Sequence, residues 1–457
     1  MIIVTGENTN LMSKSTAGTG LRPSSDPPPS YQATQPSSSY VIQHEIVYRE
    51  SPTRRFWRAF VVAILVWFLV SLLGQSIYGV ARRSNRIWGG NFPVPSNIVL
   101  SHCPHGEEWS NVPYPDAVSP DQLPYAASTS FKLPLSYKTL FLLSRGSQAH
   151  GTVNIVTSQD VSDVAKVHVT VKYYNKDIRD DGVKVCLIRR ANDDIGVGFF
   201  TRQWYGPEHM LFFEATVVLP KTGNNNTLLH IESFETDVPN VSHKVGDLRG
   251  LVDFSYINLK GSNAPISATS ISAETAVFRT SNSPITGVFN VSRSLTLKTS
   301  NSPIQVDVGV HNEKSHVSEL IMRTSNGKID SRVSLTSVYE GGRYLVTAIS
   351  SNGPVSVKFP TSPMDSTLKL QATTSNSPAS VSLDPAYEGT LALSTSNFAP
   401  SVRQRVVKDP SGKGRKRTVE TSTLGRGVLR GSVSWSGQEG PGTVQVRSSN
   451  SPVTVAL

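Results

Sequence analysis

From residue 131 onward, apolar and polar positions alternate with a period of two. Thr152-Val153-Asn154-Ile155-Val156 and Lys166-Val167-His168-Val169-Thr170-Val171 are examples, and Ala276-Val277-Phe278-Arg279-Thr280, Ser294-Leu295-Thr296-Leu297-Lys298 and Thr367-Leu368-Lys369-Leu370-Gln371 continue the pattern. Such runs predict short strands with one apolar face, and the denser Val183-Lys184-Val185-Cys186-Leu187-Ile188 and Phe212 to Leu219 read as buried strands. One stretch breaks the alternation: residues 59–81 carry no charge over 23 positions. At about 1.5 Å per helical residue this run reaches roughly 34 Å, against a hydrocarbon core of about 30 Å. With arginines on both sides, it predicts one transmembrane helix within residues 56–83.

A short motif recurs between the strands. Ser262-Asn263-Ala264-Pro265-Ile266 is followed by Ser281-Asn282-Ser283-Pro284-Ile285 and Ser300-Asn301-Ser302-Pro303-Ile304, then by versions centred on Asn326, Asn352 and Asn376, a degenerate Ser396-Asn397-Phe398-Ala399, and Ser449-Asn450-Ser451-Pro452-Val453. The asparagines stand 19, 19, 25, 26, 24, 21 and 53 residues apart. Periods of this length indicate units that cannot bury an apolar face alone and must stack on a neighbour. Asn is the non-glycine residue that best tolerates left-handed backbone, so each Ser-Asn-x reads as a tight corner. The proline after it has no N–H and belongs where a strand begins. Stacking at about 4.8 Å would set the corner asparagines in a column able to hydrogen-bond along itself.

The expected fold class is therefore all-β: a β-solenoid or β-roll of about 20–25-residue repeats, preceded by one transmembrane helix and a disordered tail. An antiparallel sandwich or meander, with the motif serving only as a hairpin turn, is the competing arrangement. The corner motifs, with Leu228-Leu229-His230-Ile231-Glu232-Ser233 after the Leu219-Pro220 strand end, resemble an adhesin-like β-repeat domain family of unknown function, most of all its uncharacterised fungal members carried on a single membrane span. The resemblance covers roughly residues 130–457 and implies a solenoid or roll without catalytic residues. The last interval, 53 residues, departs from that pattern.

The organisation expected is a Ser/Pro-rich disordered tail (1–55), the span (56–83), a proline-rich stalk (84–130), a β-rich first part of the domain (131–260) and the Asn-corner repeats (261–457) with a basic loop at 401–420. Lys and Arg number 44 against 34 Asp and Glu, a net charge of +10, but the excess sits at residues 45–86 and 403–417. The second cluster comprises Arg403, Arg405, Lys408, Lys413, Arg415, Lys416 and Arg417. It reads as a mobile loop between coils, with an anion site for acidic glycans or headgroups and a secretory protease site after Lys416-Arg417 as alternatives. A chain whose folded part is near neutral is not expected to bind nucleic acid.

In the tail, Pro28-Pro29-Ser30-Tyr31 matches the pattern of WW-domain ligands, so Pro28, Pro29 and Tyr31 mark a candidate contact for a WW-domain ubiquitin ligase. Sequons at Asn225, Asn240 and Asn290 all follow the span, which suits a cytoplasmic tail and a large extracytoplasmic domain in the secretory pathway or at the cell surface. Cys103 and Cys186 form a candidate disulfide in an oxidising compartment; two unpaired thiols are the alternative. His102-Cys103-Pro104-His105 lacks the partners of a metal site, and no metal or cofactor is expected. Asp180-Asp181 and Asp193-Asp194 are the visible acid pairs, in turns that favour Asp for local reasons. The function expected is non-enzymatic: a single-pass membrane protein displaying an adhesin-like domain for surface contact or scaffolding, with glycan or cell-wall contact. The alternatives are a polysaccharide-binding or -cleaving β-helix and a ubiquitin-ligase adaptor.

Overall fold

The computed structural model describes residues 61, 62, 64, 92–113, 123–190, 193–203, 210–223, 227–313, 316–435, 437 and 440–457. The chain divides into two units, 1–79 and 80–457. Of the first, Val61, Val62 and Ile64 are described; they are helical and exposed. The tail, with Pro28, Pro29 and Tyr31, and most of the apolar run at 59–81 lie outside the described residues.

Among the described residues of the second unit, 27 strands join in one sheet of mixed pairing. In the repeats, each strand entering an Asn corner pairs in parallel with the equivalent strand of a neighbouring repeat, and so does each strand leaving it. Ser318–Thr324 lies beside Arg343–Ser350, which lies beside Thr367–Thr374. After the corner, Ile304–Asn312, Ile329–Ser337 and Val355–Thr361 pair in the same way. Two ladders thus meet along one line of corners. The residue after the proline position points inward in seven of the eight copies: Ile266, Ile285, Ile304, Ile329, Val355, Ala379 and Val453 are all buried, while Ser401 in the Asn397 copy is partly exposed. Equivalent apolar side chains stack in register, Leu297 on Phe278 and Met322 on Leu297, so alternation places most of the strand core, with register shifts between Ala268 and Ile271 and between Ala273 and Thr275.

The first part of the domain is built differently. Tyr125–Pro134, Val164–Tyr173 and Leu211–Lys221 pair antiparallel in that order. Ile98–His102, Val183–Arg190 and Asp194–Thr201 form a second antiparallel group. Thr139–Arg145 and Ala149–Val161 then join these groups to the parallel ladders, through Leu229–Asp237 and Val241–Asp247.

Three expectations need correction. The fold class, expected as a solenoid behind a membrane helix, is among the described residues one large mixed sheet. The sheet is mixed, with antiparallel strands at both ends of the sequence, including the hairpin Thr418–Leu424 and Val428–Ser434. No helix among the described residues is long and apolar enough to cross a membrane; the α-helix Lys176–Gly182 has seven residues. The repeat spacing reports that strands stack, but it is silent about hairpins inserted between or beside them. Second, the expected stalk is partly sheet. Ile98–His102 pairs with Val183–Arg190, and Trp109 is buried with its indole donating to the Pro104 carbonyl at 3.2 Å. Pro93, Pro95, Pro104 and Pro113 all stand outside the paired segments, where a missing N–H is tolerated. Third, the corners are not left-handed: the non-glycine residues with positive φ are Gln148, Asp193 and Asp365 among the described residues, and no corner asparagine is among them. Asn occupies the corner for its side chain.

Candidate functional site

Each corner asparagine donates its Nδ2–H to the Oδ1 of the asparagine on the adjacent rung. The distance is 2.7 Å for Asn282 to Asn263, Asn301 to Asn282, Asn326 to Asn301, Asn352 to Asn326, Asn376 to Asn352 and Asn450 to Asn376. Asn397 continues the column onto Asn450 at 3.1 Å, and Asn263 starts it on Asn240 at 2.8 Å. The eight corner side chains are exposed. A primary amide has two N–H groups and two acceptor lone pairs, and a column member inside the row uses one of each. The row therefore offers solvent one donor and one acceptor per rung, at the strand spacing of about 4.8 Å.

Backbone bonds hold the row in place. The N–H groups of Ser281 and Asn282 both donate to the Ser262 carbonyl, and the same fork recurs from Ser300-Asn301 to Ser281, Ser325-Asn326 to Ser300 and Ser351-Asn352 to Ser325. The proline carbonyls accept from the first strand residue of the neighbouring rung, as from Ile266 to Pro284 and Ile285 to Pro303. Sequence reasoning missed a second column beneath. Two residues before each asparagine from Asn282 on stands a buried hydroxyl: Thr280, Thr299, Thr324, Ser350, Thr374, Thr395 and Ser448. Each donates to the carbonyl of the residue after an asparagine in a neighbouring corner, for example Ser350 to Gly327 and Thr374 to Gly353, both at 3.0 Å. The motif is thus Thr/Ser-Ser-Asn, legible as a repeat had the position before the serine been compared across copies.

On the outer face, an open groove of about 420 Å³ runs past Asp253, Glu274, Asn290, His311 and Glu313. Burial raises the Asp253 carboxyl pKa and the His230 imidazole beside it works the other way, with Glu274 and Glu313 adding to the rise. Glu274 is paired with Arg293 at 2.6 Å. Ser255 Oγ lies 3.1 Å from His230 Nε2, and His230 Nδ1 lies 3.8 Å from Asp253 Oδ2. That order imitates a nucleophile, base and acid, but 3.8 Å exceeds a hydrogen bond. The three stand on paired parallel strands whose N–H groups serve the ladder rather than an oxyanion.

The remaining candidates are placed as follows. Cys103 and Cys186 are joined as a disulfide that closes 83 residues. Asn225 lies outside the described residues, Asn240 stands at the foot of the amide column, and Asn290 lines the groove. Among the described residues no group of three or more His, Cys, Asp or Glu is arranged to hold a metal ion. Asp180 pairs with Arg179 at 2.6 Å and Asp194 with Arg190 at 2.9 Å, so both acid pairs take part in structural ion pairs.

The basic loop, expected to be mobile, is clasped. Arg415 binds Asp409 at 3.0 Å and reaches Glu388 at 3.4 Å. Arg415 and Arg417 both lie against the Trp435 ring, 5.7 and 5.8 Å from its centroid. Trp435 is itself anchored through its indole N–H to the Pro385 carbonyl at 2.8 Å. The Arg417 guanidinium nitrogens are buried without a hydrogen-bond partner, which lowers its pKa through desolvation. Arg403, Arg405, Lys408, Lys413 and Lys416 are exposed.

Residues 275–457, less than half of the chain, match a domain of unknown function, DUF7330. No curated protein matches the sequence. Two solved structures are similar at 9% identity: a candidate cell adhesion protein from Clostridium sporogenes, with 72% of this chain and 99% of that one covered at a TM-score of 0.14, and a candidate adhesin from Parabacteroides merdae, with 56% and 90% covered at a TM-score of 0.18. Superpositions of that quality carry no conclusion about this chain.

Proposed function

We propose that the β domain is a contact module, binding an extended polar partner such as a wall or surface glycan along its corner line and performing no chemistry of its own. The observation that carries this reading is the exposed amide column. A repeating ligand needs repeating partners, and the column presents unused donors and acceptors at one spacing over successive rungs. The disulfide supports placing the domain in an oxidising, extracytoplasmic compartment.

Co-sedimentation of the full chain with insoluble β-glucan and chitin, read against a triple variant Asn301→Ala, Asn326→Ala and Asn352→Ala, tests the reading. The expected result is retention of the native chain on at least one polymer and a loss of at least tenfold in the variant, with unchanged far-ultraviolet circular dichroism. Equal retention of both chains would remove the column from the binding surface, and retention on neither polymer would count against glycan contact.

A further inference from the structure

The amide column runs in chain order from Asn263 to Asn376, and then its order changes. Asn376 is followed by Asn450, and Asn397 comes last. Strands Gly442–Ser448 and Val453–Ala456 thus occupy a slot inside the stack. On one side they pair in parallel with Thr367–Thr374 and Ala379–Ser382, and on the other with Gly389–Thr395 and Ser401–Arg403. This interleaving explains the interval of 53 residues: the chain lays the outer rung first, leaves through 404–441, and returns to fill the position beneath it.

The slot recognises its occupant on both edges. Val444 aligns with Leu370 and Leu391, Val446 with Ala372 and Leu393, and Val455 with Val381 and Val402. All three valines are fully buried. Ser448 donates to the Ser377 carbonyl, and Asn450 links the asparagines above and below. None of these contacts depends on the segment belonging to the same chain as the walls. What ties it to its own chain is the connection between Trp435 and Gly442, which carries Gly437 and Gly440 by sequence. The hairpin Thr418–Leu424 and Val428–Ser434 stays on the opposite edge of Gly389–Thr395 whichever chain fills the slot.

The geometry points to a strand-exchange site: the slot between the rungs of Asn376 and Asn397 accepts residues 442–457 of a second copy of this chain. Two chains that trade the segment form a closed, two-fold pair in which each slot is refilled by the same contacts, and the balance between cis and trans shifts with protein concentration. Strand addition along two open edges is a known mode of recognition, and alternate side chains give it register. This inference is independent of the proposed glycan contact.

Full-length Gln371→Cys and Gln445→Cys chains test it, because Gln371 and Gln445 face each other across the slot and both are at least partly accessible. Neither chain alone can form the 371–445 link in cis. After mixing at high concentration with gentle warming and cooling, a short thiol-to-thiol crosslinker is expected to give the 371–445 heterodimer at least tenfold above three controls. These are the 371–371 and 445–445 homodimers and the mixture of Gln305→Cys with Gln445→Cys. Heterodimer no more abundant than those controls would reveal random collision and overturn the proposal. So would the absence of dimer at every concentration, whether or not the double variant Gln371→Cys and Gln445→Cys links within one chain.

Discussion

Residues 98–260 and 261–457 belong to one sheet yet hold themselves together by different means. The first part relies on large, singular contacts. Phe199 packs on Phe213 with centroids 5.6 Å apart, Phe234 on Phe254 at 6.2 Å, and a disulfide ties in its first strand. The second has one such aromatic pair, Phe278 on Phe289 at 5.0 Å, and otherwise relies on many small, repeated contacts: stacked Ile, Val, Leu and Ala inside, a hydroxyl column beneath each corner, and the amide column outside. An antiparallel assembly closed by strands far apart in sequence cannot share its load evenly, whereas near-identical rungs spread stability over nearest neighbours. The contrast teaches where each part is vulnerable: the first at single residues, the second at the order in which rungs are stacked.

The sharpest way to break that contrast is to excavate the first part. Phe213→Ala, at a fully buried site, is expected to lower unfolding free energy by about 3–5 kcal/mol in urea titration. A loss below about 1 kcal/mol would show that no singular core exists there. The seam between the parts offers a pH test. His243 is wholly buried, with Nε2 2.7 Å from Thr236 Oγ1 and Nδ1 without a partner, and burial lowers its pKa from 6.5 to about 4. The unfolded chain takes up a proton that the folded chain refuses, so this contribution is complete above pH 6.5 and fades as pH falls toward 4. The acid loss amounts to about 3 kcal/mol. Urea midpoints at pH 7 and pH 4.5 should show it, and His243→Gln should flatten that pH dependence.

Within the ladders the expected effects are smaller. Thr299→Val removes a buried hydroxyl that donates to the Ser281 and Ser283 carbonyls, and should cost about 1 kcal/mol by the same titration. Asn301→Ala removes two exposed bonds that water replaces in part, with an expected loss of roughly 0.5 kcal/mol. If Asn301→Ala proved more damaging than Thr299→Val, the outer column would be structural first and a contact surface second.

The repeats were legible because their signals are local. Apolar alternation identified the strands, and the spacing of Ser-Asn motifs identified units that stack, down to the column of side chains. The reason for the asparagine was misread: tolerance of positive φ is a property of the residue alone, while the Asn301 to Asn282 bond exists only once two rungs lie side by side. The same limit hid the clasp of Arg415 and Arg417 on Trp435, which looked like a solvated run of charge because the tryptophan stands about twenty positions further on.

The chain's own order of residues determined which segments become strands, which faces they bury, and where the corners fall, since each follows from side-chain alternation and backbone chemistry within a few positions. Only the tertiary structure decided that Asn450 lies beneath Asn397, that antiparallel groups flank the parallel ladders, and that His243 stays neutral at the seam. Those outcomes depend on pairings between segments tens of residues apart, where several partners present the same edge and the same alternation, and the choice among them is made by packing.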